Sequence, residues 1–295
     1  MEKRWAGTTY GNEWMHKWLI RLLKHTDNRI LYVFVAVFVI PVCLALNPSC
    51  GITYRYFRKQ HGYGKIKAAW NTYVNHCLFG QVVIDKFSMY AGKHFNVTVD
   101  GYEYYKKLAV RSEAFIQLSS HLGNYEIAGY TFKADNKRLN ALVFFGEKAS
   151  VMGNRSKLFS DTNINMIAIR PDMSHLFEIV QALENGETVS IPADRVLGSS
   201  KKISMKFLNG VADFPHGPFS VATMHSLDVI TVHVVKTKWN AYKIIVTPLP
   251  YDKEASRRMQ IAELSGQYIK ELERIVRDYP TQWYNYFEFW NSDAV

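Results

Sequence analysis

The stretch AFIQLSSHLGNYEIAGY, residues 114–130, says most about the fold of this chain. An apolar run ends at Ser120, and His121 follows it directly. Gly123 and Asn124 come next, and Asn124 is the expected N-cap of a helix. A strand, a short turn and a helix in this order predict one unit of an α/β layer fold.

The same stretch places a histidine near a carboxylate. Glu126 falls in the first turn of the predicted helix, from which its side chain can bend back toward the imidazole of His121. A histidine oriented by a carboxylate is a common general base for a hydroxyl group. We therefore expect a His121–Glu126 dyad. The alternative is that Glu126 complements the helix dipole and that His121 only ends the strand.

Outside this stretch, short apolar runs alternate with helical patterns. The runs predict strands over Leu139–Phe145, Met166–Arg170, Thr188–Ala193, Val229–Lys236 and Tyr242–Leu249. Helical spacing predicts helices over Lys65–Ala91, Ser174–Glu184 and Glu254–Tyr279. The alternation favours a sheet flanked by helices.

Composition narrows the class of protein. The chain has 295 residues, of which 48% are hydrophobic and 21% charged, and this balance excludes a disordered or fibrous protein. Lys and Arg number 36 against 26 Asp and Glu, so the formal net charge is +10. Such a surplus suits an anionic partner, whether nucleic acid, acidic lipid or an acidic protein. The three cysteines form no CxxC and cannot all pair, which indicates reduced thiols.

The N-terminal part contains a membrane candidate. The run ILYVFVAVFVIPVCLAL, residues 30–46, carries no charge and is about 26 Å long as a helix. This length and composition predict a membrane helix, with a segment lying in the membrane plane and a buried core helix as alternatives. Both flanks are basic, and residues 51–67 contain no acid, which favours the cytoplasm for the C-terminal side. We expect residues 1–50 to form the anchor and residues 51–295 the catalytic domain.

Several segments resemble one known family. SSHLGNYEIAG resembles the H-x4-D/E motif of the lipid A biosynthesis (lauroyl and myristoyl) acyltransferases, within the glycerolipid and lysophospholipid acyltransferase-like superfamily. Arg155, in VMGNRSKLF, matches a basic residue of that family. The remaining similar segments are Phe177–Asp194, Phe207–Gly210, Phe214–Pro218 and Pro280–Trp283. The chain departs from the family at Arg195, where a second acid is usual, and in WYNYFEFW, which lacks the usual basic pair.

The resemblance implies a fold and a reaction. The fold would be a glycerol-3-phosphate-acyltransferase-like central mixed sheet flanked by helices, preceded by a membrane-anchoring helix. The reaction would move a fatty acyl chain from acyl carrier protein to a hydroxyl of a lipid A precursor, which is an anionic lipid. It would take place at the bacterial inner membrane, with the catalytic domain facing the cytoplasm. Because a thiolate leaves readily, neither a metal nor a cofactor is expected.

The resemblance also implies roles for residues. His121 would remove the proton of the acceptor hydroxyl, and Glu126 would hold its tautomer. Backbone N–H groups near Gly123 and Asn124 would be donors to the oxyanion. The expected substrate-binding residues are Gly123, Asn124, Arg155, Asp194 and Arg195. The arginines among them are candidates to bind phosphate groups of the acceptor or the carrier.

Two other interpretations stay open at this point. One keeps the superfamily but changes the substrates, to a lysophospholipid or another bacterial lipid acylated from acyl carrier protein or acyl-CoA. The other is a non-enzymatic, basic, membrane-bound binding module. No helix-turn-helix, zinc-finger or RNP pattern is present, so nucleic acid is not an expected partner.

Overall fold

The computed structural model describes residues 12–47, 49–132, 137–144, 153–154, 162–170, 172–196 and 201–291. A central sheet of seven strands has the order β1-β9-β8-β2-β5-β3-β4, and β6 and β7 form a separate antiparallel hairpin. All neighbours in the central sheet are parallel except β8 and β9. The strands are β1 (Asn96–Asp100), β2 (Phe115–Ser119), β3 (Leu139–Phe144), β4 (Ile164–Ile169), β5 (Thr188–Pro192), β6 (Lys202–Phe207), β7 (Gly210–Pro215), β8 (Asp228–Lys238) and β9 (Ala241–Pro248).

Helices cover the sheet and precede it. They are α1 (Glu13–His25), α2 (Asn28–Phe34), α3 (Ile40–Leu46), α4 (Ser49–Arg55), α5 (Lys65–Tyr90), α6 (Tyr102–Ala109), α7 (Glu126–Thr131), α8 (His175–Glu184), α9 (Gly217–Met224) and α10 (Arg257–Asp278). A π-helical turn at Val35–Val39 joins α2 to α3, and a 3-10 turn covers Pro280–Gln282.

The sheet is buried on both faces in its centre. Along β2, Ile116 and Leu118 belong to one core cluster, which includes Leu264 and Leu272 of α10. Phe115, one step along the strand, belongs to a second cluster. Side chains alternate between faces with a period of two, so these clusters lie on opposite sides of the sheet. All five residues of β2 are buried, the polar Gln117 and Ser119 included, as expected for a parallel strand covered on both faces.

Within the described parts of the chain, one helix is long and apolar enough to cross a membrane. It combines α2, the π turn and α3 into a 19-residue segment, Asn28–Leu46, which we call the apolar helix. Helix α5 packs against both the apolar helix and α1. A third, smaller core cluster forms there, with Leu23, Tyr32, Ile84 and Phe87 at its centre.

The predicted α/β class, with a central mixed sheet and one apolar N-terminal helix, is confirmed. The six predicted strands all exist, and each observed end lies within two residues of the predicted one. The predictions omitted β1, which is only half-buried, and the hairpin of β6 and β7. In β1 and β6 exposed and half-buried residues alternate, and β7 is interrupted by Asp213, so none of the three forms a recognisable apolar run.

Candidate active site

The site lies where two neighbouring parallel strands end. His121 follows β2, and Asp194 follows β5, whose Pro192 is in register with Ser119. The N–H of Ala193 donates to the carbonyl of Ser119 at 3.0 Å and continues the ladder by one residue. Because parallel strands end at the same edge of a sheet, this register brings the two side chains together.

Asp194 holds the imidazole of His121 at two points. Its Oδ1 lies 2.8 Å from Nδ1 of His121, and its Oδ2 accepts the backbone N–H of His121 at 2.9 Å. The indole Nε1–H of Trp283 also donates to Oδ2, at 3.2 Å. The carboxyl is fully buried, while 22% of the His121 side chain is exposed. The carboxylate therefore faces three donor groups, and the imidazole keeps partial exposure to solvent.

Charges around the pair set its protonation. Burial raises the pKa of Asp194, but the attraction and hydrogen bonds of His121, together with the charge of Arg195, outweigh burial and hold this pKa well below its usual range. Burial lowers the pKa of His121, and Arg195 lowers it further against the opposing effect of Asp194. A pKa held below its usual range leaves the imidazole uncharged at neutral pH, and the carboxylate of Asp194 beside Nδ1 favours the tautomer with its proton on that atom. Nε2 has no hydrogen-bond partner in the described residues and presents its lone pair as a base.

The predicted contact between Glu126 and His121 is wrong. Oε1 of Glu126 lies 2.8 Å from Nζ of Lys86, and Oε2 accepts the hydroxyl of Tyr90 at 3.0 Å. Both partners belong to α5. Helix α7 begins at Glu126, so Tyr125 rather than Asn124 precedes it, and no side chain caps this end. Because α7 starts later than predicted, Glu126 is its first residue, and the side chain of Glu126 points toward α5 and away from the end of β2.

The predicted oxyanion donor at Gly123 is also occupied. The N–H of Gly123 donates to the carbonyl of Gln282 at 2.9 Å. Gly123 has a φ of +58°, and a Cβ added there would lie 1.8 Å from the carbonyl oxygen of Val234. The glycine is thus required by close backbone approach. Asn124, 3% exposed, has a side-chain amide whose Nδ2 is buried and finds no partner among the described residues.

The structure shows the surroundings of Arg195 but not those of Arg155, the other arginine predicted to bind substrate. Arg195 is 8% exposed, donates from Nη2 to the carbonyl of Tyr284, and places its guanidinium 5.6 Å from the ring centre of Phe287. Arg195 therefore lines the site and bonds to other protein groups, and its charge is not exposed to solvent. Arg155 lies outside the described residues.

The sequence did not predict that the segment after α10 completes the site. Trp283 pairs with Leu122 in an antiparallel bridge, and the N–H of Tyr284 donates to the carbonyl of His121 at 3.2 Å. The side chain of Gln282 donates to the carbonyl of Lys236 at 2.8 Å and accepts its N–H at 2.7 Å. The only signal was the Pro-Thr-Gln-Trp sequence at 280–283, which gives no indication of what it contacts.

A second histidine lies behind the first. Nδ1 of His233, on β8, is 2.9 Å from Oγ of Ser120, and the ring is almost fully buried. Burial lowers the pKa of His233 to about 4, so this imidazole is neutral and supports the end of β2. Among the described residues, no group of three or more His, Cys, Asp or Glu side chains is arranged to hold a metal ion.

Comparisons with known proteins give the family. Residues 79–291 match the bacterial lipid A biosynthesis acyltransferase family. A solved structure of the 1-acyl-sn-glycerophosphate (LPA) acyltransferase PlsC from Thermotoga maritima is 15% identical, with a TM-score of 0.39 over 92% of this chain and 100% of that one. No curated protein matches. The family match spans more than half of the sequence and contains both His121 and Asp194, so this chain belongs to the bacterial lipid A biosynthesis acyltransferase family and is an acyltransferase.

Proposed function

We propose that this acyltransferase moves a fatty acyl chain from acyl carrier protein to a hydroxyl of a lipid A precursor, at the cytoplasmic face of the bacterial inner membrane. The observation that carries the proposal is the pair formed by His121 and Asp194. A neutral imidazole with a proton on Nδ1 and an open Nε2 is suited to remove a proton from a hydroxyl group.

The proposed reaction has two steps. Nε2 of His121 takes the proton of the acceptor hydroxyl as its oxygen attacks the thioester carbonyl, and Asp194 stabilises the imidazolium that forms. The tetrahedral intermediate then collapses, the C–S bond breaks, and the imidazolium returns its proton to the leaving thiolate. The Nδ2 amide of Asn124 is the proposed donor to the oxyanion, since the N–H of Gly123 is engaged elsewhere.

The choice of substrates rests on family and charge. Membership in a lipid A acyltransferase family supports a lipid A precursor as acceptor and removes the non-enzymatic interpretation. A chain with a formal charge of +10 suits both an acidic carrier protein and an anionic lipid. Arg155 and Arg195 remain proposed contributors to substrate binding. Arg195 would act from its buried position, by shaping the wall of the site.

The test is an acyl-transfer assay with purified protein and defined substrates. Acyl carrier protein and acyl-CoA thioesters are each offered with a lipid A precursor and with a lysophospholipid, and products are weighed by mass spectrometry. We expect one added acyl chain on the lipid A precursor, and loss of the product in His121→Ala. His225→Ala is the matched control, because His225 is exposed just before β8, at the opposite edge of the sheet. Acylation of the lysophospholipid alone would refute the proposed acceptor.

A further inference from the structure

The apolar helix has one face that nothing in the described structure covers. Its side chains recur at helical spacing and are 52–78% exposed: Ile30, Val33, Phe34, Val37, Phe38, Val42 and Leu46. A continuous apolar stripe of this length is far more than a soluble surface tolerates. An apolar partner must cover it.

The other face of the helix is fixed to the domain for much of its length. Asn28 accepts a hydrogen bond from Nζ of Lys93 at 2.8 Å, and the carbonyl of Ala36 accepts the hydroxyl of Tyr73 at 3.0 Å. Gly80 of α5 lies against the same face, since a Cβ added there would be 2.9 Å from Cγ1 of Val35 and 3.9 Å from Cδ1 of Ile40. From Asn28 to Ile40 the helix is about 18 Å long at 1.5 Å per residue.

A buried polar cluster fixes the first turns of the helix. Asp85 of α5 pairs with Lys236 of β8, and both side chains are almost fully buried, at 0% and 4% exposed. The hydroxyls of Tyr32, on the apolar helix, and Tyr242, on β9, both donate to this carboxylate. Removing one partner from such a cluster leaves a buried charge uncompensated, so the helix cannot swing away from the domain at low cost.

These contacts limit how the helix can meet a bilayer. Only the last turns, from Pro41 to Leu46, extend beyond the docked part, which is about 9 Å. A helix that crossed a hydrocarbon core of about 30 Å would therefore carry the polar surface of the domain into the lipid.

The charges at the two ends of the apolar helix also favour a helix that does not cross the bilayer. Exposed basic residues lie before the helix, at Lys17, Arg21 and Lys24, in its first turn, at Arg29, and after it, at Lys59, Lys65 and Lys67. Basic flanks stay on the cytoplasmic side of a membrane, so basic residues at both ends favour both ends on one side. Trp14, Trp18 and Trp70 are 71%, 54% and 63% exposed, as is usual for side chains at the depth of lipid headgroups.

We infer that the apolar helix does not span the bilayer but lies in one leaflet of an anionic membrane. Its exposed stripe enters the acyl region, and the basic flanks at both ends lie on the headgroups. The inference rests on the proposed membrane acceptor. Helix α5 connects the apolar helix to the start of α7, because it contacts the apolar helix and also holds Glu126 through Lys86 and Tyr90.

Cysteine labelling distinguishes a helix that lies in one leaflet from a helix that spans the bilayer. The full chain is placed in sealed vesicles and treated from outside with a membrane-impermeant maleimide. One variant keeps only Cys50, by Cys43→Ser and Cys77→Ala, and reports on the C-terminal end of the helix. Two others lack all native cysteines and carry Lys17→Cys, on α1, or Lys270→Cys, on exposed α10 of the catalytic domain. We expect all three positions to react from the same side. Reaction of Lys17→Cys from the side opposite Lys270→Cys would overturn the inference.

A binding measurement tests the exposed stripe. Val37→Glu places a charge in the stripe and should lower partition onto vesicles of phosphatidylglycerol and phosphatidylethanolamine by at least about tenfold. Val110→Glu is the matched control, since Val110 is 71% exposed at the end of α6, on the catalytic domain, and should bind as the unaltered protein does. Equal loss in both variants, or none in either, would overturn the inference. Acyl transfer is measured separately, in detergent. If all three cysteine positions react from the same side but the protein has no acyltransferase activity, the proposed function is refuted and the inferred position of the helix is not.

Discussion

Trp283 donates its indole N–H to Oδ2 of Asp194, the same oxygen that accepts the backbone N–H of His121. One carboxylate thus joins the end of β2, the end of β5 and the segment after α10. Oδ1 remains for the imidazole, at 2.8 Å. The orientation of the proposed base therefore depends on three parts of the chain that are distant in sequence.

Asp194→Asn should lower acyl transfer nearly as far as His121→Ala, which we expect to cost about 10²- to 10⁴-fold. An amide can hold the wrong tautomer and cannot stabilise the imidazolium. The double variant should be little worse than either single one, because the two residues act as a unit. Glu126→Gln should cost much less activity, since its partners are Lys86 and Tyr90. Steady-state kinetics of the four proteins decide this, and a larger loss in Glu126→Gln than in Asp194→Asn would contradict the pairing.

Arg195→Met should move the acid limb of the pH–rate profile to higher pH. The active imidazole is neutral, so activity falls as pH drops through the pKa of His121, which burial and the charge of Arg195 hold below its usual range. Removing this positive charge raises that pKa, and protonation then begins at higher pH. Arg111→Met is the control, because Arg111 pairs with Asp228 at the far edge of the sheet. If the acid limb of the pH–rate profile is unchanged in Arg195→Met, the charge of Arg195 does not affect the pKa of His121.

Trp283→Phe should lower kcat by about tenfold with little change in KM. The ring still fills the buried space, but Asp194 loses one of three donors and holds the imidazole less firmly. Trp239→Phe, at a half-exposed position in the turn between β8 and β9, controls for loss of an indole. A change confined to KM would mean that Trp283 contacts substrate and does not position Asp194.

Asn124→Ala should lower kcat by about 10²- to 10³-fold, the usual loss for one oxyanion donor. The amide Nδ2 is buried without a partner among the described residues, so its removal costs no hydrogen bond of the free enzyme. The free energy of unfolding should therefore change little. Denaturant titration beside the kinetics tests both parts, and a strongly destabilised variant would indicate a structural amide instead.

Gly123→Ala should destabilise the fold by at least about 1–3 kcal/mol, from the positive φ alone. The added Cβ would also lie 1.8 Å from a carbonyl oxygen of β8, which forces the backbone apart. Gly217→Ala is the matched control, because nothing lies within 4 Å of its added Cβ. Midpoints and slopes of urea unfolding give the comparison. Equal stability of the two variants would contradict the close approach at Gly123.

The local spacing of apolar residues predicted the helices and strands. The composition of the site depends instead on the register between strands that are distant in sequence. The six predicted strands follow from apolar runs, and His121 at the end of β2 follows from the position of one such run. The partner of His121 could not be derived in this way. Asp194 reaches it only because β2 and β5 are neighbours with Ser119 opposite Pro192. Glu126 was closer in sequence, yet its contacts depend on α5, which no local spacing places.

The bridge between Leu122 and Trp283 has a consequence for the timing of synthesis. His121 leaves the ribosome long before Gln282, Trp283 and Tyr284 do. At about 5–20 residues per second, the interval is on the order of ten to thirty seconds. During that time the apolar helix has already left the ribosome, while the catalytic loop lacks the segment that fixes it. The site can therefore be completed only after residues 282–284 have been synthesised, when nearly the whole chain is available to fold.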